Sequence, residues 1–436
     1  MTTEFDVRLG FSYSLGVYLA VNALPDALLV VDGKDCVVQK VAQVQGNHDW
    51  TSNLFASDGR HRVITTHAMP EEVWKGRDEP VGRALRYAIA RDDCHVVLLT
   101  AMRMASITDP AYDMMLTAAA EETGTQKPTI LLPIRSVRDD WLAGYADTLH
   151  ALAKSLPLAA RTRESTGLAV AIVGYLMDRN EEDHGANLRE LGRLVEAMGA
   201  HVVSTWLSGS ATDRLAEVGL ADVIVSLPYA RDAARVLAAR TGARLVETGL
   251  PMGLGGTSSW LREVGAALGR GPEAEEVIDR ELRDAAPKLA WVVPMLLANR
   301  AMAFAGDPHL LRGFLSLARE LGVRVPFRSI WAADDDSLDD LREDLLDDPA
   351  VVVDPREGQS RSRFDQIVAE RCVQVVIGNS YALADFAPSI AMYELGFPSF
   401  HRHALTDQPF MGYRGCLSLV ARLVEAIKMH ALTRHG

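Results

Sequence analysis

Residues 376–382 read VIGNSYA, an apolar β-branched run that stops at Gly378 and turns through Asn379 and Ser380. A continuous rather than alternating apolar run is what a parallel strand buried on both faces requires. A polar turn at its carboxyl end falls where open α/β sheets hold their ligands. Outward from this stretch, the same succession of apolar run, turn and amphipathic segment recurs along the chain. Strands are predicted at 27–31, 95–100, 129–132, 169–173, 201–204, 222–226, 244–248, 301–305, 324–327, 350–353 and 373–377. Helical spacing is carried by 187–198, 230–240 and 310–321, among others. The expected fold is α/β: three Rossmann-like modules, each a parallel sheet flanked by helices with right-handed crossovers. Breaks at 160–167 and 272–294 divide the chain into expected domains 1–160, 161–290 and 291–436.

The 436 residues fit two to four domains at about 100–200 residues each. Hydrophobic residues make up 48% and charged residues 24%, which excludes disordered, collagen-like and coiled-coil chains. A formal charge of −13 argues against general phosphate-backbone binding, so no nucleic-acid partner is expected. The four cysteines, Cys36, Cys94, Cys372 and Cys416, are far apart and show no CxxC spacing, which argues against a self-contained zinc site or a disulfide framework. The first ten residues lack an apolar signal core, and the longest apolar stretch, 289–298, contains Pro294 and is about half a membrane span. No membrane association and a cytoplasmic location are expected. The Asp-dense stretch 333–348 reads as a solvated helix with Leu338, Leu341, Leu345 and Leu346 as its buried stripe, because it lacks the Gly and Glu placement of a calcium loop.

No G-x-x-x-x-G-K-[ST], G-x-S-x-G or H-E-x-x-H occurs, so the chain brings no P-loop and no familiar hydrolase site. The stretch 249–256, GLPMGLGG, is read as a structural turn before a helix, with an anion cradle at the helix start as its other reading. Near the end of the chain, 395–402 reads LGFPSFHR and 409–419 reads PFMGYRGCLSL.

With these residues the chain resembles the nitrogenase component 1 superfamily, which includes the nitrogenase catalytic subunits, the scaffold pair that matures their cofactor, and the dark-operative protochlorophyllide and chlorophyllide reductases. Members similarly end with a strand and G-N-S turn, a G-x-P segment, and G-Y-R-G or G-Y-D-G before a helix. Residues 305–322, AGDPHLLRGFLSLARELG, are similar to the family's G-D-P…E-L-G segment, and 249–257 to its P-x-G…T turn. Residues 27–36, ALLVVDGKDC, resemble the strand and turn that deliver a cluster-ligating cysteine. The likeness implies a three-module fold, with Cys36 as a metal ligand and Gly33 and Asp35 beside it in the cofactor-binding turn. Asp35 is a second candidate ligand, because carboxylate ligation occurs among the resembled reductases.

The chain departs from the pattern in four places. The usual G-P-x-G-C is shortened to Gly33-Lys34-Asp35-Cys36. Two further thiolates are expected by resemblance, and the sequence has Ser12-Tyr13-Ser14 and Ala101-Met102-Arg103-Met104 in their places. Met411 stands where the family histidine of the catalytic cofactor would be. One ligand from this chain requires three from elsewhere, as in the one-ligand partner subunit of the resembled reductases.

The resemblance therefore implies a 4Fe-4S type iron–sulfur cluster shared with a homologous component 1-like subunit, with electrons arriving from a separate P-loop iron–sulfur ATPase. A non-catalytic scaffold or divergent structural subunit, which need hold no metal, is the alternative. An unrelated α/β enzyme of nucleotide sugars is a third reading, which the lack of phosphate-binding signatures opposes. For Cys36, a small buried hydrophobe at a strand end stands beside the ligand reading. His48 and Asp49 are candidate catalytic proton relays, since a His beside a carboxylate titrates near neutral pH; helix capping by Asp49 or Thr51 is the other explanation. Cys94 is expected in the core. Cys372 and Cys416 are expected to be structural, although a helix start at Cys416 would favour its thiolate. Tyr413 and Arg414 are expected to anchor the C-terminal turn.

Overall fold

The computed structural model describes residues 9–135, 139–160, 168–333, 338, 341–348, 350–386 and 390–433. Its strands are β1 (Ala27–Asp32), β2 (Val63–Thr65), β3 (Val96–Ala101), β4 (Thr129–Leu131), β5 (Leu168–Val173), β6 (Ala200–Thr205), β7 (Val223–Ser226), β8 (Arg244–Glu247), β9 (Ala301–Gly306), β10 (Arg324–Ile330), β11 (Val351–Val353), β12 (Val375–Gly378) and β13 (Ala391–Glu394). They form three sheets, ordered β2-β1-β3-β4, β6-β5-β7-β8 and β11-β10-β9-β12-β13. The first and third sheets are parallel throughout, and β5 pairs in parallel with β7. The expected α/β architecture of three sheets flanked by helices is present.

Position in the sheet follows composition. The central strands β1 and β9 are buried at every residue, matching their unbroken apolar runs. The edge strands β2 and β13 fell outside every predicted run. They are short, and each carries a half-buried or exposed position, so nothing in their composition separates them from loop.

The chain packs into two compact units. One comprises 12–180 with 203–245. In it the helices Tyr13–Asn22 and Trp141–Ser155 meet backbone to backbone at Gly16 and Gly144. The other comprises the described residues of 1–11, 181–202 and 246–436, and holds the third sheet.

Local chemistry explains the G-D-P segment. Gly306 ends β9 at φ +147°, Asp307 accepts from the amides of His309 and Leu310 at 2.7 and 3.1 Å, and Pro308 opens the helix Pro308–Glu320 at its first turn. The glycine-rich stretch is likewise structural. The helix Gly253–Leu268 runs straight through Gly255 and Gly256, and the Leu254 and Gly255 amides donate to the Glu320 carboxylate at 2.8 and 2.9 Å. A Cβ on Gly253 would stand 2.8 Å from Glu320 Oε1. In the Asp-dense stretch, Leu338, Leu341 and Leu345 are buried and 342–346 form a π-helical turn. Residues 334–337, 339–340 and 349 lie outside the described residues.

Candidate functional site

Parallel register assembles the candidate site. β1 pairs with β3 so that Asp32 lies opposite Ala101, and with β2 so that Val31 lies opposite Thr65. All three strands therefore deliver their next residues to the same sheet edge: Gly33–Cys36 after β1, Thr66 and His67 after β2, and Met102 after β3. At this edge the Cys36 thiol donates to Met102 Sδ at 3.7 Å. Met102 is thus the residue that the segment implied to carry a further thiolate brings to Cys36. Gly33 permits the approach, because a Cβ there would lie 2.6 Å from Met102 Cγ. The Gly33 amide donates to Thr66 Oγ1 at 3.2 Å, and its carbonyl accepts from the Ala68 amide at 2.8 Å and Thr65 Oγ1 at 2.9 Å.

Cys36 is partly exposed and opens the helix Cys36–Val44. Asp35, beside it, lies 2.6 Å from His67 Nδ1, and both side chains are solvent-exposed. Behind the turn, Asp32 is fully buried. It accepts from Arg77 Nη2 at 2.6 Å, Thr66 Oγ1 at 2.6 Å and Tyr112 OH at 2.7 Å, so it ties the exits of all three strands. Lys40, one turn along the helix, donates to Ser14 Oγ at 3.0 Å. Burial pushes its pKa below the ordinary lysine value, and the influence of Cys36 opposes that shift.

His48 and Asp49, expected as a proton relay, sit at the other end of this helix: the His48 and Asp49 amides both donate to the Val44 carbonyl. Eight residues of helix put them about 12 Å along the axis from Cys36. Both are fully buried. His48 Nε2–H donates to the Asp178 carbonyl at 2.9 Å, which fixes the tautomer because a carbonyl only accepts. Asp49 accepts from Asn22 Nδ2 at 2.7 Å, the Asn180 amide at 2.8 Å and the Thr51 amide at 2.8 Å. Burial would raise its pKa, but these donors outweigh it and hold the carboxyl below the usual range. No helix starts at either residue, so the capping explanation does not apply. The geometry supports a structural clasp between 45–51 and 178–180.

The clasp carries a pH signature. Burial, the largest influence, lowers the His48 pKa despite the opposing Asp178 carboxylate. Below the unfolded value of about 6.5 the unfolded chain then binds the extra proton, and stability falls with pH. The Asp49 contribution is lost only below about pH 4, outside that window. His48→Gln keeps a donor without the titration. It is expected to flatten the fall in urea-unfolding free energy between pH 7 and 5.5 by up to about 1.4 kcal/mol per pH unit. An unchanged slope would show that His48 does not titrate on unfolding.

Residues 12–428 match the family model described as Nitrogenase component 1 type Oxidoreductase. The chain belongs to this family. The beta chain of the nitrogenase molybdenum-iron protein of Methanococcus maripaludis is 26% identical over 178 residues, covering 41% of this chain and 38% of that one. The alpha chain from Methanothermobacter marburgensis is 22% identical over 292 residues, covering 65% and 57%. The chain therefore spans well under two thirds of the length of these curated relatives. The solved structure of nitrogenase Cp1 at pH 6.5 shares the fold, with a TM-score of 0.78 over 100% of this chain and 94% of that one at 16% identity.

Within this nitrogenase component 1 chain, the C-terminal motifs act as knots in the unit that holds the third sheet. Asn379 caps the helix Ser380–Phe386 through the Ala382 amide at 2.9 Å, and its Nδ2 donates to the Phe397 carbonyl at 3.0 Å. Ser380 Oγ donates to the buried Glu394 carboxylate. The ligand turn expected at 378–380 thus has these polar groups engaged internally. Tyr413 OH meets Ser258 Oγ at 2.8 Å, and the Gly412 amide donates to the Pro251 carbonyl at 2.8 Å, as expected of an anchoring turn.

Burial pushes the Cys94 thiol up to about 11 and the Cys416 thiol up to about 12. Burial thus outweighs any help the helix start gives a Cys416 thiolate, in keeping with the structural role expected of it. Cys372 is exposed, at φ +52°. Sequence reasoning missed Met102 as a sulfur neighbour, His67 as the partner of Asp35, and Asp32 with Arg77 as the support behind the turn. A signal for the last existed: an acid ending an otherwise apolar central strand must find a buried cation.

Proposed function

We propose that this chain is one subunit of a nitrogenase-like reductase, and that Cys36 supplies one ligand to a four-iron, four-sulfur cluster shared with a homologous subunit. One observation carries the reading. A partly exposed thiol stands where three strand exits meet and, among the described residues, no group of three or more His, Cys, Asp or Glu side chains is placed to hold a metal ion. A four-iron cluster takes four thiolate-type ligands, so this donor set fits a share of one and not the whole. Asp35 is engaged by His67, which favours Cys36 as the ligand.

When bound there, the cluster would supply one-electron transfer. The chain's own part is to hold the thiol at the edge of the first sheet, with Gly33 admitting Met102 and Asp32 fixing the turn behind it. Met69, Trp74, Ile107 and Met114, on the segments that follow β2 and β3, are exposed apolar side chains suited to burial under the homologous subunit. Since the chain carries no P-loop, the electron donor would be a separate P-loop iron–sulfur ATPase. No described helix is long and apolar enough to cross a membrane, and the proposed setting is the cytoplasm.

A second reading, a scaffold or divergent subunit without a catalytic cluster, is favoured by the Met102 thioether lying beside Cys36. Iron and acid-labile sulfide, measured on the anaerobically purified chain with and without its co-purified homologue, separate the two. The reductase reading expects iron in the complex and at least a fivefold loss in Cys36→Ala. An iron-free, stable complex with the same absorption spectrum in wild type and variant would overturn it.

A further inference from the structure

A cavity of about 400 Å³ lies along the exposed edge of the first sheet, beside β2. Its walls include Val38, Phe55, Ile64 and Tyr87, with His61 and His67 as polar groups. We propose that it is a binding site for a small, planar, uncharged aromatic molecule bearing a hydroxyl group. The inference goes beyond the reductase reading and needs neither iron nor a second subunit.

Size comes first: small-molecule sites occupy about 300–1,000 Å³, and this cavity falls near the lower end, enough for one or two fused rings. The walls then select the ligand's faces. Phe55 is set edge-on against the His61 ring, with centroids 4.9 Å apart at 61°, and so gives a held aromatic surface. Charge is disfavoured, because the lining contains no Lys, Arg, Asp or Glu, and a desolvated ion would find no counter-charge. Outside the lining, the Asp35 carboxylate accepts from His67 Nδ1 at 2.6 Å. That contact occupies His67 Nδ1, so in the neutral ring Nε2 carries the lone pair and accepts from a ligand hydroxyl. His67 is also held at φ +53°, a left-handed conformation that non-glycine residues keep mainly at clamps and functional turns.

The test titrates the full chain into 2-naphthol, 2-methoxynaphthalene and 2-naphthalenesulfonate, following the fluorescence of each probe. Saturable one-to-one binding is expected for 2-naphthol, at least fivefold weaker binding for the methoxy compound and at least tenfold weaker binding for the sulfonate. Val38→Trp, which fills the cavity from its exposed rim, should weaken 2-naphthol at least tenfold with the far-UV circular dichroism retained. Tyr87→Ala, at an exposed position, provides an independent loss of threefold or more. His67→Ala should abolish the preference for 2-naphthol over the methoxy compound. Absence of saturable 2-naphthol binding, a sulfonate that binds as tightly, or folded Val38→Trp and Tyr87→Ala variants with wild-type affinity would each overturn the proposal. Because the readout involves no iron, such a failure leaves the role of Cys36 untouched.

Discussion

Asp32→Asn is expected to lower the unfolding free energy by about 3–5 kcal/mol, the range for removing one partner of a buried ion pair. The carboxylate is fully buried, and Arg77, its partner, is 1% exposed at the side chain. Asparagine removes the charge and points an N–H₂ at groups that are themselves donors: Arg77 Nη2, Thr66 Oγ1 and Tyr112 OH, all within 2.7 Å of the present oxygens. At least one donor is then unsatisfied, and the guanidinium stays desolvated without a counter-charge. Tyr112→Phe removes a single donor and should lose only about 1–2 kcal/mol. Urea unfolding at pH 7 reads both. A loss below about 1 kcal/mol for Asp32→Asn would mean that water enters and solvates Arg77. The site should feel the change as well, since the turn to Cys36, the segment after β2 and the helix that follows Met102 are all tied to this one side chain.

Gly16→Ala is expected to be about as damaging, at roughly 3 kcal/mol or more, for a different reason. A Cβ at Gly16 would lie 1.7 Å from the Trp141 carbonyl oxygen, and one at Gly144 would lie 2.0 Å from the Tyr13 carbonyl oxygen. Both obstacles are backbone, so no rotamer change relieves them and the helices Tyr13–Asn22 and Trp141–Ser155 must separate. The two contacts share one interface, which predicts non-additivity. Once the first alanine has pushed the helices apart, the second meets more room, so the double variant should lose less than the sum of the single losses. Strict additivity in thermal or urea unfolding would show that each glycine acts locally and that the helices do not move as bodies.

How much of this was legible in the chain itself depended on whether a property is local. The unbroken apolar runs of β1, β9 and β12 announce buried parallel strands, and the G-D-P segment encodes its own strand end, cap and first helical turn. β2 and β13 were illegible because edge strands are half-solvated and need no apolar run. At the site, Cys36 and its glycine were legible through resemblance. The Met102 neighbour depended on the register of β1 against β3, which no linear spacing contains. The placement of His48 and Asp49 was illegible for a related reason. A His-Asp pair next to a suspected ligand reads as proton chemistry, but one short helix carries it to the far end and buries it under donors from distant residues.

The glycine-rich helix start has one further consequence. Its amides are occupied by Glu320, a carboxylate of the same polypeptide, so binding this resident is an intramolecular event. A dissolved phosphate would have to evict that resident anion from a socket it fits by construction. The glycine-rich helix start that a nucleotide phosphate would otherwise meet is thus already occupied from within the chain.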